Sequence, residues 1–391
     1  MPGTPDTIQL TATTLTGFEE TLATELERLG AARVTKGHRA VHFEGDEAML
    51  YRANLMCRTA IRILKPLARF RVHRDTALYK AVQRIDWSAF LEATGNLWVN
   101  TSLHESKIDH SNYASQVVKD AVVDQFREAT GGRPSVDRNS ADLVINLRIE
   151  RNAAVLSVDS SGDSLHRRGY RPLVHETPIS EVLAAGIIGL TGWDGRAPFV
   201  DGMCGSGTFL IEAAMMARSI PAGRFRKSFG FQRWKRYDAD IFGRVLEEAT
   251  GAELDAAPGP IQGSDVNAGA VDLAREHLER SGTGGDVALT VSDFAAAEPP
   301  PAEPGAVLVM NPPYGERVSA DEIAGLYAMI GDTLKQRYSG YTAWIFTGSE
   351  EGAKAIGLRP SRKIPLMNGP IKCRLLRFEM YAGSRKAKYR S

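Results

Sequence analysis

Four consecutive residues, Asn311-Pro312-Pro313-Tyr314, bring together the side-chain types in this chain best suited to chemistry. An amide, a prolyl carbonyl and an aromatic ring held side by side can grip a flat object that carries an amino group. A nucleobase is such an object. Immediately upstream, Ala306-Val307-Leu308-Val309-Met310 is an apolar run of strand length that stops at a polar residue and two prolines, the pattern of a buried strand delivering a rigid loop. In open α/β sheets that edge is where ligands bind.

A second stretch points the same way. Gly202-Met203-Cys204-Gly205-Ser206-Gly207-Thr208 joins a short strand ending in Asp201 to a helix from Phe209 to Ala217. Glycines there allow a tight turn and let a ligand approach main-chain N–H groups without a Cβ in the way. The spacing is neither GxGxxG nor GxxxxGK[ST], and no lysine follows the glycines. Asp201 would repel a phosphate and could receive a cationic amino group, which favours S-adenosylmethionine over NAD or ATP.

Two later strands also end in acids. Pro260 to Asn267 carries Asp265 and Val266, followed by a helix from Ala268 to Leu278; the carboxylate either accepts the hydroxyls of a ribose or caps that helix. Val287 to Phe294 ends in Asp293 and Phe294, an acid able to accept from an adenine amino group and a ring able to stack on it. The alternative is a cap and a core phenylalanine.

The elements that must position these groups begin with a helix from Pro178 to Leu190. After Asn311 come a helix from Asp321 to Tyr338, a strand from Tyr341 to Thr347, and an antiparallel pair over 362–366 and 371–381. The N-terminal half shows no catalytic constellation. It opens with a strand at Ile8 to Ala12 and a helix from Gly17 to Gly30. From about Asp86 it continues with a strand at Leu97 to Leu103, a helix at Ser115 to Arg127, and a hairpin of 143–150 with 153–159 across Arg151-Asn152.

Basic residues gather in four places. Arg52, Arg58, Arg62, Lys65, Arg69, Arg71 and Arg74 form either a solvated helix face or a phosphate-contact surface. Leu165 to Pro172, with Arg168, Tyr170 and Arg171, reads as a basic, aromatic linker. Arg224 to Arg236, including Arg233 and Trp234, either holds RNA or packs its own aromatics into a core. Arg385, Lys386, Lys388 and Arg390 make a basic tail.

The 391 residues suit two or three domains, and the formal charge of +1 means that any basic surface is local. Cys57, Cys204 and Cys373 are scattered, without metal spacing, so no metal and a reducing compartment are expected. No apolar run is long enough to span a bilayer and the N-terminus has no secretory pattern, so a cytoplasmic protein without membrane contact is expected.

The run from Ser106 to Val123 with the following hairpin resembles a THUMP domain, an RNA-binding module of modification enzymes. The glycine turn, the two strand-end acids and the NPPY loop, in that order, resemble a class I S-adenosylmethionine-dependent N-methyltransferase. Together with NPPYGER, 164–171, 230–234 and Leu366-Met367-Asn368-Gly369, they are similar to the bacterial THUMP-domain rRNA guanine-N2 methyltransferases, the RlmL group.

This resemblance implies an α/β chain of four parts. Residues 1–75 would be an α+β ferredoxin-like unit, 76–163 a THUMP-like RNA-binding domain and 164–178 a linker, with a Rossmann-like class I methyltransferase domain at 179–391. It implies methylation of the exocyclic N2 of a guanosine in 23S rRNA. The same reaction on tRNA, or a non-catalytic role in ribosome assembly, are the alternatives. Asn311, Pro312, Pro313 and Tyr314 would be catalytic. Asp201, Gly202, Cys204, Gly205, Ser206, Gly207, Thr208, Asp265, Val266, Asp293, Phe294 and Asn311 would hold the cofactor. Arg58, Arg62, Arg69, Arg168, Tyr170, Arg171, Arg233 and Trp234 would meet structured RNA, and a monomer is expected. One departure stands out: the family usually has proline after Asp201, and this chain has Gly202, which is expected to loosen the turn and weaken cofactor binding modestly.

Overall fold

The computed structural model describes residues 7–171, 179–314 and 319–381. Gly315, Glu316 and Arg317 of the extended motif, Pro172 to Pro178 of the linker, and the basic tail lie outside the described residues. The chain divides into two compact units, one of Met1–Thr14, Leu22–Arg167 and Arg226–Glu248, the other of Leu15–Thr21, Arg168–Phe225 and Ala249–Ser391.

The first unit contains β1 (Ile8–Thr13), α1 (Glu19–Arg28), β2 (Ala32–Gly37), β3 (Ala40–Gly45), α2 (Glu47–Met56), β4 (Arg62–Arg71), α3 (Asp75–Gln83), β5 (Asn96–His104), α4 (Ser111–Thr130), β6 (Ser135–Val136), β7 (Leu143–Glu150) and β8 (Ala153–Asp159). The strands form one sheet in the order β2-β3-β1-β4-β8-β7-β5-β6. Strand β4 pairs with β1 on one side and β8 on the other. The segments 1–75 and 76–163 therefore share a continuous sheet rather than standing as separate bodies. Alternation builds its core face, since Leu143, Ile145, Leu147 and Ile149 of β7 are all buried. The β7–β8 turn has φ of 48° at Arg151 and 61° at Asn152, as a two-residue type I′ turn requires.

Most of the Arg52–Arg74 basic run lies on β4, not on a helix face as one reading held. Arg62 is engaged with Asp159 and donates to the Gly162 carbonyl at 2.7 Å, and Lys65 is buried beside Glu47 at 3.2 Å. Arg69 and Arg71 remain exposed. The insertion at 226–248 belongs to this unit because its aromatics are core. Phe231 stacks on Tyr51 at 4.3 Å and on Phe229 at 5.3 Å, and Trp234 is buried edge-on to Phe90. Arg226 donates to the carbonyls of Ser161, Asp163, Ser164 and Arg167. Trp234 is thus a packing residue, which corrects its assignment to RNA; Arg233 is exposed.

The second unit contains α5 (Glu181–Thr191), β9 (Phe199–Asp201), α6 (Thr208–Ala217), the end of α7 (Ala239–Gly251), β10 (Ile261–Asp265), α8 (Ala268–Arg280), β11 (Val287–Val291), β12 (Val307–Met310), α9 (Ala320–Arg337), β13 (Thr342–Thr347), α10 (Glu350–Ala355), β14 (Arg362–Asn368) and β15 (Ile371–Glu379). Its sheet order is β11-β10-β9-β12-β13-β15-β14, parallel through β13 and antiparallel beyond it. Strands β9 and β12 are buried at every position, as parallel strands covered on both faces must be. The order reverses between β9 and β12, and a crevice opens at the carboxyl ends of strands at such a reversal. Asp201 and Asn311 stand at or directly beyond those two ends.

Arg168 and Tyr170, assigned above to RNA, are buried here. Arg168 Nε donates to Glu212 Oε1 at 3.2 Å and the Tyr170 hydroxyl to the same oxygen at 3.3 Å. Glu212 sits on the otherwise apolar α6, and a carboxylate taken out of water needs such partners. The pair is structural and makes no surface for RNA. Among the described residues no helix is long and apolar enough to cross a membrane, and no group of three or more His, Cys, Asp or Glu is placed to hold a metal ion.

Candidate active site

The glycine turn leaves β9 with positive φ at Gly205 (50°) and Gly207 (81°), where a side chain would be strained. Asp265 stitches it to β10: one carboxylate oxygen accepts from the Gly205 N–H at 2.9 Å and the other from the Asn267 N–H at 2.9 Å. Asn267, not Asp265, caps α8, its side chain accepting from the Ala270 N–H. Each oxygen of Asp265 keeps a lone pair for a ligand hydroxyl. Beside it Val266 is 73% exposed, an apolar face at a strand end.

Asp201 is buried, and among the described residues its carboxylate accepts one hydrogen bond, from the Met203 N–H at 3.3 Å. Burial, with a further contribution from the charge of Asp265, pushes its carboxyl up to about 8. A buried carboxylate this poorly paired favours a cation. Thr208 opens α6 and its hydroxyl accepts from Arg171, whose guanidinium also lies 3.6 Å from Glu181. Arg171 therefore braces the turn, a correction to its placement with RNA. Below the turn lies His277, missed in the sequence: buried on the apolar side of α8, with Nδ1 3.2 Å from the Ser206 carbonyl. Cys204 is buried, and burial raises its thiol further from ionisation. The Ser206 hydroxyl has no partner among the described residues.

Of the third strand's pair, Asp293 is exposed and accepts from the Ala295 N–H at 2.9 Å through one oxygen, leaving the other. Phe294 is not available to stack on a ligand. It is 2% exposed, stacked on Tyr338 at 5.2 Å and pressed against Gly202. A Cβ at residue 202 would lie 2.3 Å from the Phe294 ring and 3.0 Å from the Met310 sulfur. Gly202 is thus a close-packing residue, a role the sequence reading of a loosened turn did not contain.

At the end of β12, Asn311 is half-buried and its Oδ1, itself out of solvent, has no hydrogen-bond partner among the described residues. Pro312 is buried and Pro313 exposed; the Pro313 carbonyl accepts from the Tyr327 hydroxyl at 3.4 Å, which is also 2.6 Å from Thr347 Oγ1. The Tyr314 ring is held on three sides. Its hydroxyl accepts from Asn368 Nδ2 at 3.0 Å and lies 3.7 Å from Cys373 Sγ, Gly348 packs on the ring, and Phe346 meets it edge-on at 6.4 Å. Burial raises its hydroxyl well above the usual phenol value, so it stays neutral. Asn368 and Gly348 carry no local sign of this work beyond the Asn-Gly turn.

In the first unit, Arg69 is exposed and lies close enough to His42 to act on its charge. Burial, then the guanidinium groups of Arg69 and Arg148, hold His42 below the ordinary imidazole value. Arg58 is half-buried, and its backbone N–H donates to Glu25 at 2.9 Å.

Residues 168–377 match the family model of the RMKL-like methyltransferase domain, 73–159 that of the THUMP domain and 9–64 that of the RlmL ferredoxin-like domain. The chain is 39% identical over 385 residues to a protein of Synechocystis sp. named "Putative RNA methyltransferase", covering 96% of this chain and all of the relative. It is 41% identical over 383 residues to the ribosomal RNA large subunit methyltransferase K/L of Syntrophotalea carbinolica; this covers 95% of the chain but only 54% of that relative, so the chain spans about half its length. Among solved structures, a "putative methyltransferase complexed with SAH" superposes with a TM-score of 0.87 at 28% identity, covering 97% of this chain and all of the other.

Proposed function

The chain belongs to the RMKL-like methyltransferase family, and from that premise we propose that it methylates the exocyclic N2 of a guanosine in 23S ribosomal RNA, using S-adenosylmethionine. The observation that carries the choice of an amine is Asn311 Oδ1, an acceptor kept from water at the reversal of strand order and without a partner among the described residues. A buried acceptor left unpaired costs free energy until a donor arrives. An amino group is such a donor.

The donor set fits S-adenosylmethionine. Asp201 would meet its cationic amino group, the glycine turn its chain, Asp265 the ribose hydroxyls, Val266 a face of the adenine and the free oxygen of Asp293 the adenine amine. When bound, that cofactor supplies a methyl group already activated on a sulfonium. The protein's task is then placement. Asn311 Oδ1 and the Pro312 carbonyl would accept the two amine hydrogens, turn the nitrogen lone pair toward the methyl group and stabilise the positive charge that develops. Tyr314 would stack on the base, its plane set by Asn368, Gly348 and Phe346. The exposed basic residues Arg69 and Arg233 are offered for phosphate contact.

The direct test compares modified nucleosides in rRNA from cells with and without the gene. Loss of one N2-methylguanosine is expected; unaltered rRNA would refute the proposal.

Two smaller effects follow from the geometry. Asn368→Ala releases the Tyr314 hydroxyl, and loss of one hydrogen bond of about 1 kcal/mol is expected to lower kcat/KM roughly fivefold, with cofactor affinity unchanged in calorimetry. Asp201, raised to about 8, holds a proton that the unfolded chain gives up near pH 4, so its contribution to stability is greatest at low pH and falls as pH rises through that window. A bound cation favours the deprotonated form. Affinity for S-adenosylmethionine should therefore rise between about pH 6 and pH 8, with proton release visible as buffer-dependent binding heat. An affinity flat across that range would remove Asp201 from the role.

A further inference from the structure

The cradle residues end β9 and β10 and follow β11, all to one side of β12; on its other side lie β13, β15 and β14. On that second side the unit has a cleft of about 580 Å³ lined by apolar Leu366, Met367 and Ala353, with Lys372 and Arg374 among its polar residues. Neither the cradle residues nor Asn311 to Tyr314 line it. It is nonetheless their neighbour, because Gly348 and Cys373 belong to its lining and also hold Tyr314: a Cβ on Gly348 would lie 2.9 Å from the ring, and Cys373 Sγ is 3.7 Å from the hydroxyl.

The cleft's volume falls within the range of about 300–1,000 Å³ usual for small-ligand sites. It is large enough for a heterocycle with its sugar and far too small for a duplex. Lys372 is exposed and has no ion pair among the described residues, whereas Arg374 is engaged with Glu350. An apolar hollow with a cation that has no ion pair among the described residues suits a flat base whose linker is an anion.

We propose that this cleft receives the base of the nucleotide adjoining the methylated one, with the connecting phosphate on Lys372. The inference rests on the reading of Tyr314 as the platform for the target base. A base drawn out of its stack pulls on the backbone of its neighbour. A second unstacked base needs apolar cover, and single-stranded segments are the form of RNA whose bases can be splayed in this way. Because Gly348 and Cys373 line the cleft and also hold Tyr314, the adjoining nucleotide, rather than a remote segment, is the occupant.

The test uses the full chain, deproteinised 23S rRNA and radiolabelled S-adenosylmethionine. Lys372→Glu and Met367→Glu are expected to raise KM for RNA, and to weaken RNA binding, by about tenfold, the scale of losing one held base. kcat and cofactor affinity should match the wild type. Lys363→Glu, an exposed lysine of β14 outside the cleft lining, should have a much smaller effect. Unchanged KM in the Lys372 and Met367 variants overturns the proposal, as does an equal loss in Lys363→Glu, which would mean unspecific charge. Failure of the wild type itself to methylate RNA would instead refute the underlying reading, and this inference with it.

Discussion

Asn311→Ala is expected to reduce methyl transfer by about 10²–10³-fold, the scale seen when one preorganised partner of a developing charge is removed. Cofactor binding should stay within a few-fold of wild type, because the acids that would hold the cofactor end β9 and β10 and follow β11, and none of them bonds to this side chain. Folding should also survive, since the amide oxygen that is lost has no hydrogen-bond partner among the described residues. Asn311→Asp separates two explanations. A carboxylate still accepts hydrogen bonds but cannot donate, so activity in Asp well above that left in Ala would locate the function in the acceptor oxygen. Single-turnover kinetics with calorimetry of cofactor binding make the measurement, and turnover of Asn311→Ala near the wild-type rate would sink the role.

Gly202→Pro, which installs the residue usual in the family, is expected to destabilise this protein by about 1–3 kcal/mol, as overpacking of a filled core does. A Cβ there falls 2.3 Å from Phe294, and that ring is buried and stacked on Tyr338 at 5.2 Å, so moving it disturbs a second aromatic contact. Since the same backbone begins the cofactor turn, cofactor affinity should fall too. Phe294→Ala supplies the room. The double variant Gly202→Pro/Phe294→Ala should therefore be more stable than the sum of the two single changes, a coupling that a thermal-melting double-mutant cycle reads directly. Simple additivity would show that Gly202 and Phe294 do not answer one another.

Much of the catalytic unit is legible in the amino-acid sequence alone. The alternation between short apolar runs and amphipathic segments, with Asp201, Asp265, Asp293 and Asn311 at or just after strand ends, marks a parallel sheet, and period and punctuation are local properties. The hairpin across Arg151-Asn152 is legible for the same reason, since its turn conformation depends on two adjacent residues. The basic clusters are not. A run such as Arg62 to Arg71 reads as surface until one knows that β4 lies between β1 and β8, which buries Lys65 and engages Arg62 while leaving Arg69 and Arg71 outside. Arg168, Tyr170, Arg171 and Trp234 mislead likewise, because burial of a charged or aromatic side chain is decided by partners distant in sequence, here Glu212, Glu181 and Phe90.

By itself, then, the sequence determined which residue types stand at the strand ends and in what order: Asp201, the glycine turn, Asp265, Asp293 and Asn311-Pro312-Pro313-Tyr314. That order is written in local hydrophobic period and in glycine and proline, which act within a few residues. Only the tertiary structure decided which of them are buried, which are held by neighbours and which keep an open polar atom. It withdrew Phe294 into the core against Gly202, tied Tyr314 to Asn368 and Cys373, and left Asn311 Oδ1 without a partner among the described residues. Each of these outcomes depends on close packing between strands and loops far apart in the chain, and no local pattern records such contacts.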